Sequence, residues 1–284
     1  MRRGYVDTAQ GQMHYRTAGE GSPIVLLHAS PRSARVYERL ISLLAPHHRV
    51  VAFDTLGFGN SDPLPVGSTM ESLARCVTEA MDGLGIPKAH LFGLHTGNKI
   101  GAALAANFPE RVDRFVLVGM THSIVIEQEK RDAAILGIVQ KGMDEAAGES
   151  DPAHLLRQWA KLFGSVAESW WKGDIVGRRT FGADDIAVLE NEVLDKIQAR
   201  AAFDPIYRAN FSFDLTGAIA RIPVPTLIVE LAIPQEDHLG RQGDAVCQLL
   251  QHGELVVFEN TDRDVLERNP EKLAKAVLNF LAKR

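Results

Sequence analysis

The chain has 284 residues, 45 % of them apolar and 24 % charged, with a formal net charge of −5 and a pI near 6.1. These figures describe a globular protein with enough apolar material for a sizeable core, and with no lysine/arginine run they argue against nucleic acid as a partner. Cys76 and Cys247 belong to no Cys-x-x-Cys pair and no apolar run reaches roughly 18 residues, which excludes a disulfide scaffold and a membrane span.

The N-terminal segment, MRRGYVDTAQGQMHYR, is too polar for a signal peptide, so a reducing cytoplasm is the expected location and both cysteines are expected as buried thiols. Met13 to Arg16 and Ile24 to Leu27 read as strands, the second as a continuous apolar run of the kind buried on both faces. A loop, His28-Ala29-Ser30-Pro31, leads to the helically spaced ARVYERLISLLA. RVVAFD is a further strand ending at Asp54, and TLGFGNSDPLP is a glycine- and proline-rich loop. The spacing of Ser68 and Glu71 predicts a capping box opening the next helix. HLFGL is a strand, NKIGAALAANF a helix and RFVLVG a strand again. Such alternation predicts an α/β fold, with a mostly parallel central sheet and helices on both faces. From Thr121 to Ala220 the chain reads mostly helical and holds Trp159, Trp170 and Trp171. The alternation then resumes with VPTLIVEL, a helix near residues 240–250, ELVVFEN, and the helix NPEKLAKAVLNFLAK. The simplest organisation is a core of residues 1–120 and 221–284 with an inserted helical cap, 121–220, over the strand edge where open α/β sheets bind ligands.

Several motifs coincide in order. HASP follows a strand, DTLGFGNSD follows the next, GLHTG forms a strand-to-helix turn, and FPERVDRFVLVG and NPEKLAKAVLNFL come after. Together they resemble the α/β-hydrolase superfamily over nearly the whole length outside the cap. The resemblance implies an α/β-hydrolase fold, with a nucleophile elbow at Gly93-Leu94-His95-Thr96-Gly97. Gly93 and Gly97 supply the small positions that a strained turn needs, and His95 stands where the family carries its serine. The backbone N–H groups of Thr96 and Ser30 are the expected oxyanion-hole donors, and neither depends on side-chain identity. His28 is expected to pack and bond the HASP loop.

The chain departs from the family at all three catalytic positions. Counting back from Pro270, the place of the family's histidine holds Arg263; the family's acid position, in ELAIPQED, falls on Ile233 and Pro234, with Glu230, Glu236 and Asp237 out of register. Serine-type acyl transfer requires a nucleophile, a base and a group that orients the base. An imidazole at the elbow can instead serve as base, acid or nucleophile near neutral pH. His122, past the strand RFVLVG, is either a second pocket histidine or a solvated loop residue. Arg263 is either an anion clamp or an ion-pair partner of Asp262 or Asp264. Glu230 is a carboxylate able to orient a histidine. No metal-ligand spacing joins His95, His122 and Glu230, so neither metal nor cofactor is expected. The aromatic segment RAAFDPIYRANFSFD is expected to be mostly cap core, with a minority lining a pocket for a hydrophobic or aromatic small molecule.

Three functions remain open at this level. The first is hydrolysis of an ester or carbon–carbon bond in a small carbonyl compound, with His95 in place of serine. The second is a non-hydrolytic lyase or isomerase in which His95 moves a proton. The third is a ligand-binding protein without activity. Nucleic acid and membrane are not expected as partners, and a homodimer is left open.

Overall fold

The computed structural model describes residues 1–119, 160, 183–232, 241–261 and 265–283. Its strands are β1 (Arg2–Thr8), β2 (Gly11–Ala18), β3 (Pro23–Leu27), β4 (Arg49–Phe53), β5 (Ala89–Leu94), β6 (Val112–Val118), β7 (Thr226–Ala232) and β8 (Gly253–Glu259). They form a sheet in the order β1-β2-β4-β3-β5-β6-β7-β8, antiparallel at β1/β2 and β2/β4 and parallel from β4 through to β8. The described helices are α1 (Glu38–Leu44), α2 (Met70–Gly83), α3 (Thr96–Asn107), α4 (Ala183–Gln198), α5 (Phe203–Ser212), α6 (Leu215–Ala220), α7 (Gly243–Leu249), α8 (Val265–Arg268) and α9 (Pro270–Leu281).

The apolar strand runs are buried on both faces, as their composition implies. Successive side chains leave opposite faces of a strand. Val25, Leu27, Val51, Phe53 and Leu91 therefore join one core with α2, α3 and α6, while Ile24, Leu26, Val50, Ala52 and Phe92 join a second core with α1 and α9. Strand β1 is the element that the sequence pattern did not announce. It is an edge strand with Val6 as its buried side chain, so hydrophobic periodicity carries little signal there. The capping box of α2 also sits one residue later than Ser68 and Glu71 suggested. Thr69 is the N-cap and exchanges hydrogen bonds with Ser72, because Ser68 instead turns its hydroxyl to the Pro65 carbonyl. Cys76 is buried, and Cys247 is partly buried against the first core. Among the described residues, no helix is long and apolar enough to cross a membrane.

Helix α3 has core on every side. Residues Thr96 to Ala105 are all buried, and the helix packs against β3, β5 and β6 on one side and α2 and α6 on the other. Two polar residues interrupt its apolar surface. Asn98 is wholly buried and clamps the end of β6: its Nδ2 donates to the Val118 carbonyl at 2.8 Å, and its Oδ1 accepts from the Val118 N–H at 3.2 Å. Lys99 is 1 % exposed and donates from Nζ to the Asn210 carbonyl of α5 at 2.6 Å, with its charge 5.2 Å from the Phe211 ring centroid.

Of the segment read as a cap, residue 160 and residues 183–220 are described, the latter carrying α4, α5 and α6. Ala199, Ala202, Ile206, Ala209 and Phe213 seat it on the first core, and Gly57 permits the contact: a Cβ there would stand 2.7 Å from that of Ala202. The three tryptophans lie outside the described residues.

The Asn98 clamp gives a stability prediction. Asn98→Leu keeps the volume but leaves the Val118 N–H and carbonyl buried without this partner. Each orphaned group costs about 1–3 kcal/mol, so urea denaturation should show a loss of roughly 2–5 kcal/mol with an unchanged m-value. A loss below about 1 kcal/mol would mean that the clamp is not needed.

Candidate active site

The site forms where β3 and β5 end and α3 begins. Strand β5 stops at Leu94, α3 starts at Thr96, and His95 between them has φ 49° and ψ −106°. A positive φ is uncommon for a residue with a Cβ, and a non-glycine residue held there carries strain that the surroundings must impose. Here two glycines allow the surroundings to close in. A Cβ on Gly93 would lie 2.7 Å from the Asn98 nitrogen and the Gly97 carbonyl. A Cβ on Gly97 would lie 1.9 Å from the Leu27 carbonyl oxygen. Helix α3 thus starts in backbone contact with the end of β3.

The His95 side chain is partly buried and leans towards the end of β6. A Cβ on Gly119 would meet His95 Nε2 at 3.3 Å and Leu231 Cδ1 at 3.5 Å. Gly119 has φ 67°, so the residue beside the imidazole is suited to glycine in conformation and in space.

Residues 28–34 form the other wall. His28 is 1 % exposed; its Nδ1 donates to the Ala29 carbonyl at 2.9 Å and its Nε2 accepts from the Thr55 N–H at 3.0 Å. Burial disfavours the imidazolium and lowers the His28 pKa below its usual value near 6.5, with the Asp54 charge opposing. His28 thus bonds the loop, as expected. The Ser30 N–H donates to Thr96 Oγ1 at 3.3 Å, which turns this amide towards the first residue of α3. The Ser30 amide thus points at Thr96, whose own amide belongs to the first turn of α3. The Tyr207 hydroxyl of α5 donates to the Ser30 carbonyl at 3.4 Å.

Behind this wall stands Asp54, to which the sequence reading gave no role. Its carboxylate is 2 % exposed and accepts from the Ala34 N–H at 2.6 Å and the Asn60 N–H at 2.9 Å, with His14 Nδ1 at 2.8 Å. Burial pushes the carboxyl pKa up, but the His14 hydrogen bond and the two amides outweigh it and hold the group below the usual carboxylate value. Asp54 ties the HASP loop to the glycine-rich loop after β4. A polar residue closing an apolar strand before such a loop is the available signal, and it does not reveal the partners.

Glu230 takes a different place from the one expected. The sequence reading made it an acid able to orient a histidine. In the structure its Oε1 accepts from the N–H groups of Gln242 and Gly243, at 2.6 and 2.9 Å, and caps α7. Leu231 Cδ1 and His95 Nε2 both border the space a Cβ on Gly119 would fill, and adjacent residues of a strand face opposite ways, so the Glu230 carboxylate leaves the other face of the sheet. His122 and Arg263 lie outside the described residues, as do Ile233, Pro234, Glu236 and Asp237. Among the described residues no three His, Cys, Asp or Glu side chains gather as metal ligands.

The profile of the alpha/beta hydrolase fold family matches residues 22–270. Haloalkane dehalogenase 2 of Mycobacterium tuberculosis is 36 % identical over 118 residues, 41 % of this chain and 41 % of that protein. The 2-hydroxy-6-oxo-6-(2'-aminophenyl)hexa-2,4-dienoic acid hydrolase of Metapseudomonas resinovorans is 24 % identical over 299 residues, 99 % of this chain and 91 % of that protein. The chain spans about two fifths of the length of the first curated relatives that it matches. Among solved structures, an epoxide hydrolase from Vigna radiata has a TM-score of 0.73 at 16 % identity, covering 100 % of this chain and 98 % of that one. The enol-lactonase of Burkholderia xenovorans LB400 has a TM-score of 0.68 at 21 % identity, covering 99 % and 100 %. At these identities the structural likeness establishes the fold.

The buried neutral His28 gives a pH prediction. The unfolded chain protonates this histidine near pH 6.5 and the folded chain only at lower pH. Between those values the unfolded state holds the extra proton, so stability rises with pH, is complete above the unfolded value and is lost as pH falls. His90 and His48, also shifted down by burial, act in the same direction. Denaturation free energies measured from pH 7 to pH 5 should fall, and in His28→Gln the fall should be shallower by up to about 1.4 kcal/mol per pH unit. Parallel curves for the two proteins would show that His28 binds a proton equally well in both states.

Proposed function

The chain belongs to the α/β-hydrolase fold family, and from that premise we propose that it is a cofactor-independent hydrolase. Its substrate is a small hydrophobic or aromatic carbonyl compound, cleaved at an ester or carbon–carbon bond. The observation that carries this reading is His95, held at φ 49° between β5 and α3, beside a Ser30 amide turned towards Thr96. A strained residue at the C-terminal edge of a parallel sheet, next to the N-terminus of a buried helix, stands where charge developing on a substrate oxygen is best stabilised.

In this reading His95 takes a proton from water, or attacks directly, and the carbonyl oxygen of the substrate gathers negative charge. The Thr96 and Ser30 N–H groups receive that oxygen. The Ser30 hydrogen bond to Thr96 Oγ1 is long at 3.3 Å, so the donor is redirected at small cost when a better acceptor arrives. Phe203, Tyr207 and Phe211 recur every fourth residue on α5, with neighbouring rings 4.7 and 5.9 Å apart, and Tyr207 reaches Ser30. That aromatic face supports a hydrophobic substrate, as does the name of the Metapseudomonas relative, a hydrolase of an aminophenyl-substituted oxo acid. Residues 121–220 are assigned as the cap, and the contact of Tyr207 with Ser30 supports that.

A second reading is favoured by the position of Glu230. Its Oε1 is committed to the first amides of α7, and an imidazole at the elbow position can shuttle a proton in a lyase or isomerase.

His95 variants separate these readings. His95→Gln should melt within a few degrees of wild type, because glutamine fills the same turn, while its turnover of 4-nitrophenyl esters falls by about 10²–10⁴-fold. His95→Ser should gain no esterase activity, because Arg263 stands where the family's base would be. Wild-type turnover in a folded His95→Gln protein would remove His95 from the mechanism. Absence of ester turnover in wild type would move the reading to proton transfer or to binding alone.

A further inference from the structure

The turn that carries the Ser30 amide continues into a buried charge cluster joining three segments distant in sequence. Arg32 Nε donates to Asp195 Oδ2 of α4 at 3.2 Å, and Nη2 donates to Glu267 Oε1 of α8 at 2.6 Å. Nη1 lies 3.7 Å from Glu192 Oε2. The Arg32 side chain is 15 % exposed, and those of Asp195, Glu192 and Glu267 are 0, 6 and 11 % exposed. Asp195 Oδ1 also accepts from the Ser33 hydroxyl at 2.7 Å and stands 3.7 Å from Arg35 Nη1, while Lys196 Nζ lies 3.5 Å from Glu192. Burial disfavours the Arg32 charge, yet the three carboxylates raise the guanidinium pKa above its usual value, so Arg32 is a fixed cation.

Three bases face three acids, so the cluster is neutral overall and has no surplus charge to offer a ligand. Its contribution to stability is also small by expectation, because the desolvation of buried ion pairs consumes most of their attraction. What such a cluster does well is fix register: one planar guanidinium directs separate N–H groups at separate carboxylates and tolerates few arrangements. The Arg32 N–H, in turn, donates to the Ala29 carbonyl at 2.8 Å and closes the turn around Ser30. Any shift of Arg32 therefore moves the Ser30 amide relative to Thr96.

We propose that Arg32 is a positioning residue, holding the Ser30 amide in register with α3 by anchoring its turn to α4 and α8. The catalytic part of this inference rests on reading the Ser30 amide as an oxyanion donor; the positioning part does not. Arg32 touches no reacting atom and acts through the loop.

The test uses the full chain with Arg32→Met, Arg32→Lys and Glu267→Gln. Lysine keeps the charge but reaches one acid at a time, and should give an intermediate result. Val6→Ala, in the β1 edge, serves as a destabilised control outside the cluster. Amide hydrogen exchange at residues 28–36 should be faster in Arg32→Met by about tenfold or more, with no matching change in the control. With 4-nitrophenyl acetate as probe, kcat should fall by roughly 10–100-fold, with KM within about threefold of wild type because the loop positions the transition state more than the bound ester. Exchange at 28–36 no faster than in the control overturns the proposal, as does a loss of activity carried by KM alone. Should wild type not turn over the ester, the hydrolase reading falls while hydrogen exchange still decides the positioning. If Arg32→Met fails to fold, the same exchange measurement on Arg32→Lys and Glu267→Gln decides in its place.

Discussion

The start of α3 approaches the end of β3 until only a hydrogen atom fits between them. At Gly97 a single added carbon would lie 1.9 Å from the Leu27 carbonyl oxygen. This contact fixes how steeply the chain must turn after β5, and that turn forces His95 to a positive φ. It also sets the helix N-terminus against the loop that leaves β3. The histidine, the helix amide and the Ser30 amide are neighbours because two backbones touch.

Around this contact the sheet edge is polar, in contrast to the apolar faces beneath. Buried backbone groups need hydrogen-bond partners, and an edge where strands end supplies few from the sheet itself. The chain answers with side chains placed singly. Asn98 takes both polar groups of Val118, Asp54 takes the amides of Ala34 and Asn60, His28 takes the Thr55 amide, and Glu230 takes the first amides of α7. Each bridges segments far apart in sequence. Asn98, Asp54 and His28 hold the segments around His95 in a single arrangement, as a turn at positive φ requires.

That rigidity bears on the chemistry. In the proposed reaction the oxyanion would be held by backbone amides that do not depend on which group attacks the carbonyl, so the reading does not require a serine at residue 95. The fold hosts many reactions, and only the site decides between them. Here the site offers an imidazole with its Nε2 near Gly119 and an aromatic face on α5 beside Ser30. The ion cluster at Arg32 ties that face, through the same inserted segment, to the loop that carries the Ser30 amide.

The sequence by itself determined the sheet and its order of elements. Seven of the eight strands were legible because a strand buried on both faces must be an apolar run, and the elbow was legible because only glycines at 93 and 97 permit its turn. Strand β1 escaped because an edge strand buries little. The start of α2 was misplaced by one residue because Ser68 and Thr69 are both competent caps, and the choice falls to the turn at Pro65. The partners of buried polar groups were decided by the tertiary structure alone. Glu230 read as an acid available to a histidine, yet strand alternation sends it to the face where α7 begins. Arg32, Asp195 and Glu267 carry no sequence signal of their pairing, since nothing local distinguishes an arginine in water from one enclosed by three carboxylates. Hydrophobic pattern is a property of neighbours along the chain, whereas the pairing of charges depends on which distant segments the fold brings within a few ångströms.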